Sequence, residues 1–373
     1  MFVENLKCTE CGEEYSPDQI VYRCGCGGSL DVEYDYSQIG EKLDWQKLKS
    51  RNFDHHRYKE FYPVLKNDSY VSVGEGGTPL IKASSLGDKL GLEELYFKIE
   101  GMNPTGSFKD RGTCVEIGKA LDFGKDQVVV ASTGNMGASI AAYCARAGIE
   151  ANIFIPRNVP EIKLKQMKSH GANIKRVDGD YSEAADKAFQ AYEEKGWYLM
   201  GDYAYRGEGE KSVGFEIIDQ IHADKIVLPV GNGTLLSGAW KGIKEVRRIG
   251  LADERPEMIG IQASGCSTVS KAFKEGLEKV PTVDKPDTVA GAIACGEPLD
   301  GRSALEAIRE SGGFADDFPD SKLMEAKKML AEKEGIYAEE SCGTALAGIK
   351  ENLDRLDPGE TVVCVVTGHG LKT

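Results

Sequence analysis

The side chain best placed to do chemistry is Lys109, in the run Asn103-Pro104-Thr105-Gly106-Ser107-Phe108-Lys109-Asp110-Arg111-Gly112. Pro104 and Gly106 mark a turn. Ser107 is then placed to N-cap a helix, with Asp110 three residues on completing a capping box. Lys109 would sit in the first helical turn, at the positive end of the helix dipole. A cation is disfavoured there, so the amine is expected to lose its proton more readily than a free lysine. A neutral amine is a nucleophile, and a lysine so placed is a candidate for a Schiff base with an aldehyde cofactor. The same residue could be a surface lysine near a helix start. The rest of the chain decides between these readings.

Three further motifs fall where a strand gives way to a turn. Ser132-Thr133-Gly134-Asn135-Met136-Gly137 follows an apolar run at 128–131 and opens a helix. Its hydroxyls, its amide and the exposed N–H groups of a helix N-terminus make a carboxylate or phosphate site. The run 225–230, ending at Val230, leads into Gly231-Asn232-Gly233-Thr234 and another helix. Here glycines let backbone N–H groups point at an anion with the dipole behind them. No Gly-Lys-Ser/Thr follows, so this is not a nucleotide P-loop, and the dinucleotide fingerprint fits poorly. After the last strand, Thr367-Gly368-His369-Gly370 puts a hydroxyl at a strand end. Any one of these turns could be simple loop geometry. With Lys109 they supply an aldehyde-trapping amine, a phosphate cradle, a carboxylate pocket and a ring-nitrogen partner. Those are the needs of a pyridoxal phosphate enzyme acting on an amino acid.

The elements that must position these groups alternate along the chain. Strand-length apolar runs occur at 95–99, 128–131, 151–155, 173–177, 197–200, 225–230, 258–262 and 361–366. Helical patterns at 108–123, 138–147, 162–170, 183–195, 210–221, 236–249 and 322–334 separate most of them. The rhythm predicts an α/β fold, a mostly parallel doubly wound sheet with helices on both faces. Ligands of such sheets sit beyond the carboxyl ends of the strands, where the motifs fall. The chain has 373 residues, 41% of them hydrophobic, enough for two domains or one large α/β body. A net charge of −14 argues against nucleic acid as a partner. With no bilayer-length apolar run and no signal pattern at the N-terminus, a cytoplasmic protein is expected, with no membrane partner.

Four of the ten cysteines are clustered, in Cys8-Thr9-Glu10-Cys11-Gly12 and Cys24-Gly25-Cys26-Gly27-Gly28. They resemble two knuckles of a small zinc ribbon, with a short hairpin expected through Tyr15 and 20–22. A redox pair or two disulfides are the alternatives, but four cysteines this close in an intracellular chain favour metal. Cys8, Cys11, Cys24 and Cys26 would fill all four positions of a structural zinc, leaving none for a water. The other six cysteines read as reduced core residues. His55-His56, with no acidic or histidine partner at helical spacing, reads as a solvated surface pair.

Taken together, the zinc knuckles, 103–112, 132–135, 206–211, 230–232, Ser311-Gly312-Gly313, 335–339 and Thr367-Gly368-His369-Gly370-Leu371-Lys372 resemble threonine synthases, of the fold type II pyridoxal phosphate enzymes related to tryptophan synthase β. The resemblance covers nearly the whole chain. It implies two doubly wound α/β/α domains behind an N-terminal zinc-ribbon-like module at 1–35. The large cofactor-binding domain would be 36–112 with 196–373, and the small mobile domain 113–195. It implies a homodimer and a small-molecule amino-acid substrate, with O-phosphohomoserine and water giving threonine and phosphate. By resemblance Lys109 carries the cofactor and shuttles protons. Asn135 meets the cofactor's 3-hydroxyl and Thr367 its ring nitrogen. The loop of Val230, Gly231, Asn232, Gly233 and Thr234 takes the phosphate. Ser132, Thr133 and Asn135 hold the substrate carboxylate, with Met136, Arg206 and Lys211 on the substrate side. Family donors to the substrate phosphate fall on Met136, Met200, Gly201 and Leu235, which cannot donate from a side chain. Arg206, with Lys211 nearby, could supply the missing attraction. The alternative is β-elimination or β-replacement on another amino acid, as in serine or threonine ammonia-lyases. A non-catalytic scaffold is a third reading, against which Lys109 speaks.

Overall fold

The computed structural model describes residues 2–372 apart from 65 and 160. In chain order its strands are β1 (Val3–Cys8), β2 (Glu14–Tyr15), β3 (Leu30–Tyr34), β4 (Leu80–Lys82), β5 (Glu94–Ile99), β6 (Gln127–Ala131), β7 (Glu150–Pro156), β8 (Asn173–Val177), β9 (Tyr198–Leu199), β10 (Lys225–Pro229), β11 (Glu257–Ala263), β12 (Ala315–Phe318) and β13 (Thr361–Val366). The chain divides into two compact units. The first runs from the N-terminus to Gly76 and resumes over Lys109–Glu210; the second comprises Gly77–Phe108 and Lys211 to the C-terminus. The knuckle segment and Lys109 thus share a unit. No helix of the described residues is long and apolar enough to cross a membrane.

The first unit holds two sheets. One is small and antiparallel, in the order β2-β1-β3. The other, β8-β7-β6-β9, is parallel throughout. Parallel neighbours need crossovers, supplied by the helices Asn135–Ala147, Glu161–Ser169 and Tyr181–Lys195. Asp180 and Glu183 form a reciprocal capping box that starts the last of these. Its small face, Ala184, Ala188 and Ala191, shares a core cluster with Val129, Ala131 and Leu199. The strand expected at 20–22 is absent. Tyr22 instead packs its ring among Tyr192, Tyr198 and Tyr203, and its hydroxyl accepts from the Leu199 amide.

The second unit is built on one sheet in the order β12-β11-β10-β13-β5-β4. Every neighbouring pair is parallel except β4 with β5 at the edge. Val362, Val363, Cys364, Val365 and Val366 are all buried, as expected of a strand covered on both faces. Leu346 and Ile349 of the helix Cys342–Glu351 join Val227, Ile261 and Val362 in this core.

From 95 onward every expected strand is present to within a residue at each end. The capping box at Ser107 is not. The helix begins at Lys109, while Ser107 is held in a bridge to Gly368. Its buried Oγ has no hydrogen-bond partner among the described residues. Asp110 is engaged elsewhere, accepting from the Ser139 hydroxyl at 2.6 Å.

Candidate active site

In the first unit Lys109 opens the helix Lys109–Asp122, and the helix Ala204–Glu210 packs against it. The close approach depends on Gly209, where a Cβ would lie 2.0 Å from the Arg111 carbonyl oxygen. Arg206 and Glu210 are four residues apart on that helix and share one side of it, and Asp202 lies just ahead of its first turn. Lys109 Nζ lies 3.4 Å from Asp202 Oδ1 and 3.2 Å from Glu210 Oε1, and the lysine side chain keeps 16% of its surface exposed. Burial works against the charge on Lys109, but the carboxylates of Asp202 and Glu210 outweigh it and hold the amine above the usual lysine value. The direction is opposite to the one expected from the helix dipole. A dipole effect is worth about 0.3–1 kcal/mol near a surface, while an opposite charge within hydrogen-bond distance shifts a group by about one to three units. The ion pairs win.

Arg206 is fully buried beside them. It bonds the Glu116 carboxylate through Nη2, the Gly201 carbonyl through Nε (3.2 Å) and the Thr113 hydroxyl through Nη1 (3.4 Å). Asp202 and Glu210 are each 3.9 Å away. Burial, only partly opposed by Arg206, pushes the Glu116 carboxyl up to about 7. Burial pushes Glu210 up as well, against the pull of Lys109. Lys211, expected to support Arg206, lies in the second unit, fully buried with its ammonium 2.9 Å from Glu245. Asp202, Glu210 and Glu116 were missed by reading the sequence. Their trace was there in the acid-base-acid spacing of 202, 206 and 210.

Also in the first unit, the Ser132 hydroxyl accepts from the Gly137 amide at 2.9 Å at the head of the helix Asn135–Ala147. Thr133, Asn135 and Met136 are partly exposed. Met200 is a buried core side chain, and Gly201 gives its amide to Glu116 at 3.1 Å. His55, expected at the surface, is fully buried. It stacks on Tyr62 at 4.3 Å and donates from Nε2 to the Gly209 carbonyl at 3.2 Å. His55, Glu75 and Cys114 offer ligand atoms within 4.8 Å of one another. The Tyr70 hydroxyl lies 2.8 Å from His55 Nδ1 and 3.4 Å from Glu75, so this is a hydrogen-bonded network bracing Gly209.

In the second unit, Gly231–Thr234 joins β10 to the helix Thr234–Arg248. Gly233 has φ 95°, and a Cβ on it would meet the Asp300 carbonyl oxygen at 2.7 Å, so only glycine fits. Amides in the first turn of that helix have no intrahelical carbonyl to reach. Asn232 Oδ1 accepts from the Cys295 thiol (2.9 Å), and Thr234 donates to Asp300 at 2.6 Å. Val230 and Leu235 are buried. Thr367, at the end of β13, is buried with its hydroxyl 3.4 Å from Cys342 Sγ, and its carbonyl accepts from the Phe108 amide at 3.1 Å. Each unit taken by itself offers part of what a phosphorylated aldehyde needs: an amine in the first, and in the second a positive-φ glycine turn at a helix start and a hydroxyl at a strand end.

The four N-terminal cysteines converge. Cys8 and Cys26 sulfurs are 3.5 Å apart, as are those of Cys11 and Cys24, and all four lie within 4.8 Å of one another. Sulfurs at the corners of a tetrahedron about a zinc ion would be about 3.8 Å apart. The Tyr15 hydroxyl donates to Cys24 Sγ at 3.2 Å.

Residues 71–368 match the family model described as pyridoxal-phosphate dependent enzyme. The threonine synthase of Methanocaldococcus jannaschii is 42% identical over 373 residues, covering 98% of this chain and 92% of that protein. The threonine synthase of Methanosarcina acetivorans is 43% identical over 376 residues, covering 99% and 92%. Among solved structures, threonine deaminase isoform 2 of Solanum lycopersicum superposes with a TM-score of 0.70 at 23% identity, covering 78% of this chain and 79% of that one. Maize serine racemase gives 0.71 at 22% identity, covering 88% and 94%. At these identities the structural likeness is one of fold.

Proposed function

The chain belongs to the pyridoxal-phosphate dependent enzymes, among the threonine synthases, and on that footing we propose that it converts O-phosphohomoserine and water to threonine and phosphate. The observation that carries the reading is Lys109, a partly exposed amine held by long contacts to two carboxylates beside a buried guanidinium. We assign it the cofactor aldehyde. Val230, Gly231, Asn232, Gly233 and Thr234 take the cofactor phosphate on backbone amides, Asn135 its 3-hydroxyl, and Thr367 its ring nitrogen. When bound, the cofactor supplies an electron sink that makes a substrate C–H bond acidic. Lys109 moves the proton at the α carbon and the protons that follow. Ser132, Thr133 and Asn135 orient the substrate carboxylate at a helix N-terminus.

Arg206 is assigned the charge of the substrate phosphate, which requires Glu116 to give up its bond. Glu116, pushed up to about 7, can do so by taking a proton near neutrality. Lys211, bonded to Glu245, is left out of the substrate set. Met200 and Leu235 are core side chains, so their lack of donors weighs little against a phosphorylated substrate. A structural zinc on Cys8, Cys11, Cys24 and Cys26, a mobile segment over 113–195 and a cytoplasmic homodimer belong to the same proposal. The test incubates the purified protein with O-phosphohomoserine and, separately, with serine and threonine. Stoichiometric phosphate and threonine from the first support the reading. Ammonia and a 2-oxo acid from the others, with no phosphate from the first, would replace it by an ammonia-lyase.

A further inference from the structure

Lys109 and Arg206 face Asp202, Glu210 and Glu116, and Arg206 and Glu210 have no exposed side-chain surface. Glu210 is paired on one side only. Its Oε1 meets Lys109, while its buried Oε2 has no hydrogen-bond partner among the described residues. An acceptor left unpaired in the interior destabilises the fold and asks for an explanation.

We propose that Asp202 and Glu210 set the proton affinity of Lys109: whenever the amine is not bonded to the cofactor they favour its ammonium form, so that freed Lys109 takes a substrate proton and holds it until it is returned. The proposal rests on Lys109 being the cofactor-binding amine and adds two positioning residues that act through it. In the step concerned, the substrate C–H bond breaks, its electron pair stays on the substrate, and the proton goes to Nζ. With Lys109 neutral, Asp202 and Glu210 lose the cation that lies 3.4 and 3.2 Å from them; with Lys109 protonated they keep it. Burial makes the first state the costlier of the two. Arg206 opposes the pair, and Glu116 acts through Arg206. Of the neighbouring groups, His55 faces Gly209, and Tyr198 and Tyr203 face Glu116.

The test labels Lys109 in the full-length, cofactor-free protein with an amine reagent across pH and quantifies the Lys109 peptide. Turnover of the loaded enzyme is measured in parallel. For Glu210→Gln we expect the labelling midpoint to fall by about one to three pH units, so that Lys109 reacts at least about tenfold faster near pH 8, while kcat falls. Misfolding would also bare the amine and stop turnover, so the comparison is made only for variants that unfold in urea as cooperatively as wild type. Asp202→Asn, at a slightly less buried position, should shift the midpoint the same way if Glu210→Gln does not fold. An unchanged midpoint in the folded variants overturns the proposal, and so does a shifted midpoint with unchanged kcat. Labelling does not depend on the substrate, so a wrong assignment of the reaction would leave it intact.

Discussion

Lys98, on β5 in the second unit, and Lys109, at the head of its helix in the first, both place an ammonium on a buried glutamate. Lys98 donates to Glu216 at 2.7 Å, Gln220 at 2.7 Å and the Thr78 carbonyl at 2.9 Å. That matches an ammonium's three protons with three short bonds, and neither Lys98 nor Glu216 has exposed side-chain surface. Lys109 meets its carboxylates at 3.2 and 3.4 Å and keeps access to solvent. A lysine whose protons are all spent on close acceptors is a strut. One held at longer range and open to solvent can leave and return. A glutamate partner is common to both; bond length and access to solvent separate them.

Lys109→Ala should have the largest effect. Turnover should fall by at least about a thousandfold, and borohydride treatment of the cofactor-loaded variant should leave no labelled peptide. If the variant turns over normally, Lys109 is another strut and the contrast disappears. Lys98→Met should do the converse. It strands Glu216 in the interior, with an expected loss of about 3–5 kcal/mol in urea unfolding, while the folded fraction keeps its kcat. A Lys98 variant that stays stable but loses turnover would put Lys98 with the reactive lysine instead.

With the proposed zinc, the four-cysteine cluster belongs on the Lys98 side, because four thiolates fill a tetrahedral ion and leave no position for a reacting water. Cys24→Ser is expected to lower the zinc content of the purified protein and to cost about 2 kcal/mol in the unfolding of the first unit. The rate per folded molecule should not change. Wild-type protein with no zinc by metal analysis would remove the cluster from this comparison.

Lys109 was legible because a turn and strand–helix rhythm surround it, and local sequence writes both. The sign of its proton affinity was not. Asp202 and Glu210 lie 93 and 101 residues downstream, and a helix dipole is the only influence a local reading can weigh. Parallel strands such as 361–366 were readable because two-sided burial makes them unbroken apolar runs. The helix Cys342–Glu351 was passed over for the same physical reason: buried along nearly all of its length, it has no polar stripe to give it a period. β12 was passed over because its Ala-Asp-Asp-Phe run carries two charges at a sheet edge. Ser107 looked like a cap, but its backbone is taken by a bridge to Gly368, a partner far away in sequence.

Glu116 tests the boundary between strut and switch with the smallest effect. It pairs with Arg206 like a structural carboxylate, yet burial pushes it up to about 7. A group raised on folding contributes stability that is fully present below its unfolded value, near 4.5, and is lost as pH rises through the folded one. The stability of wild type relative to Glu116→Gln should therefore fall between about pH 4.5 and 7, by at most about 1.4 kcal/mol per unit, and be flat above. Urea unfolding of both proteins at intervals from pH 5 to 8 measures it. Parallel curves would mean that Glu116 stays ionised throughout. Arg206 would then be locked to it as firmly as Lys98 is to Glu216, and some other cation would have to receive the substrate's phosphate.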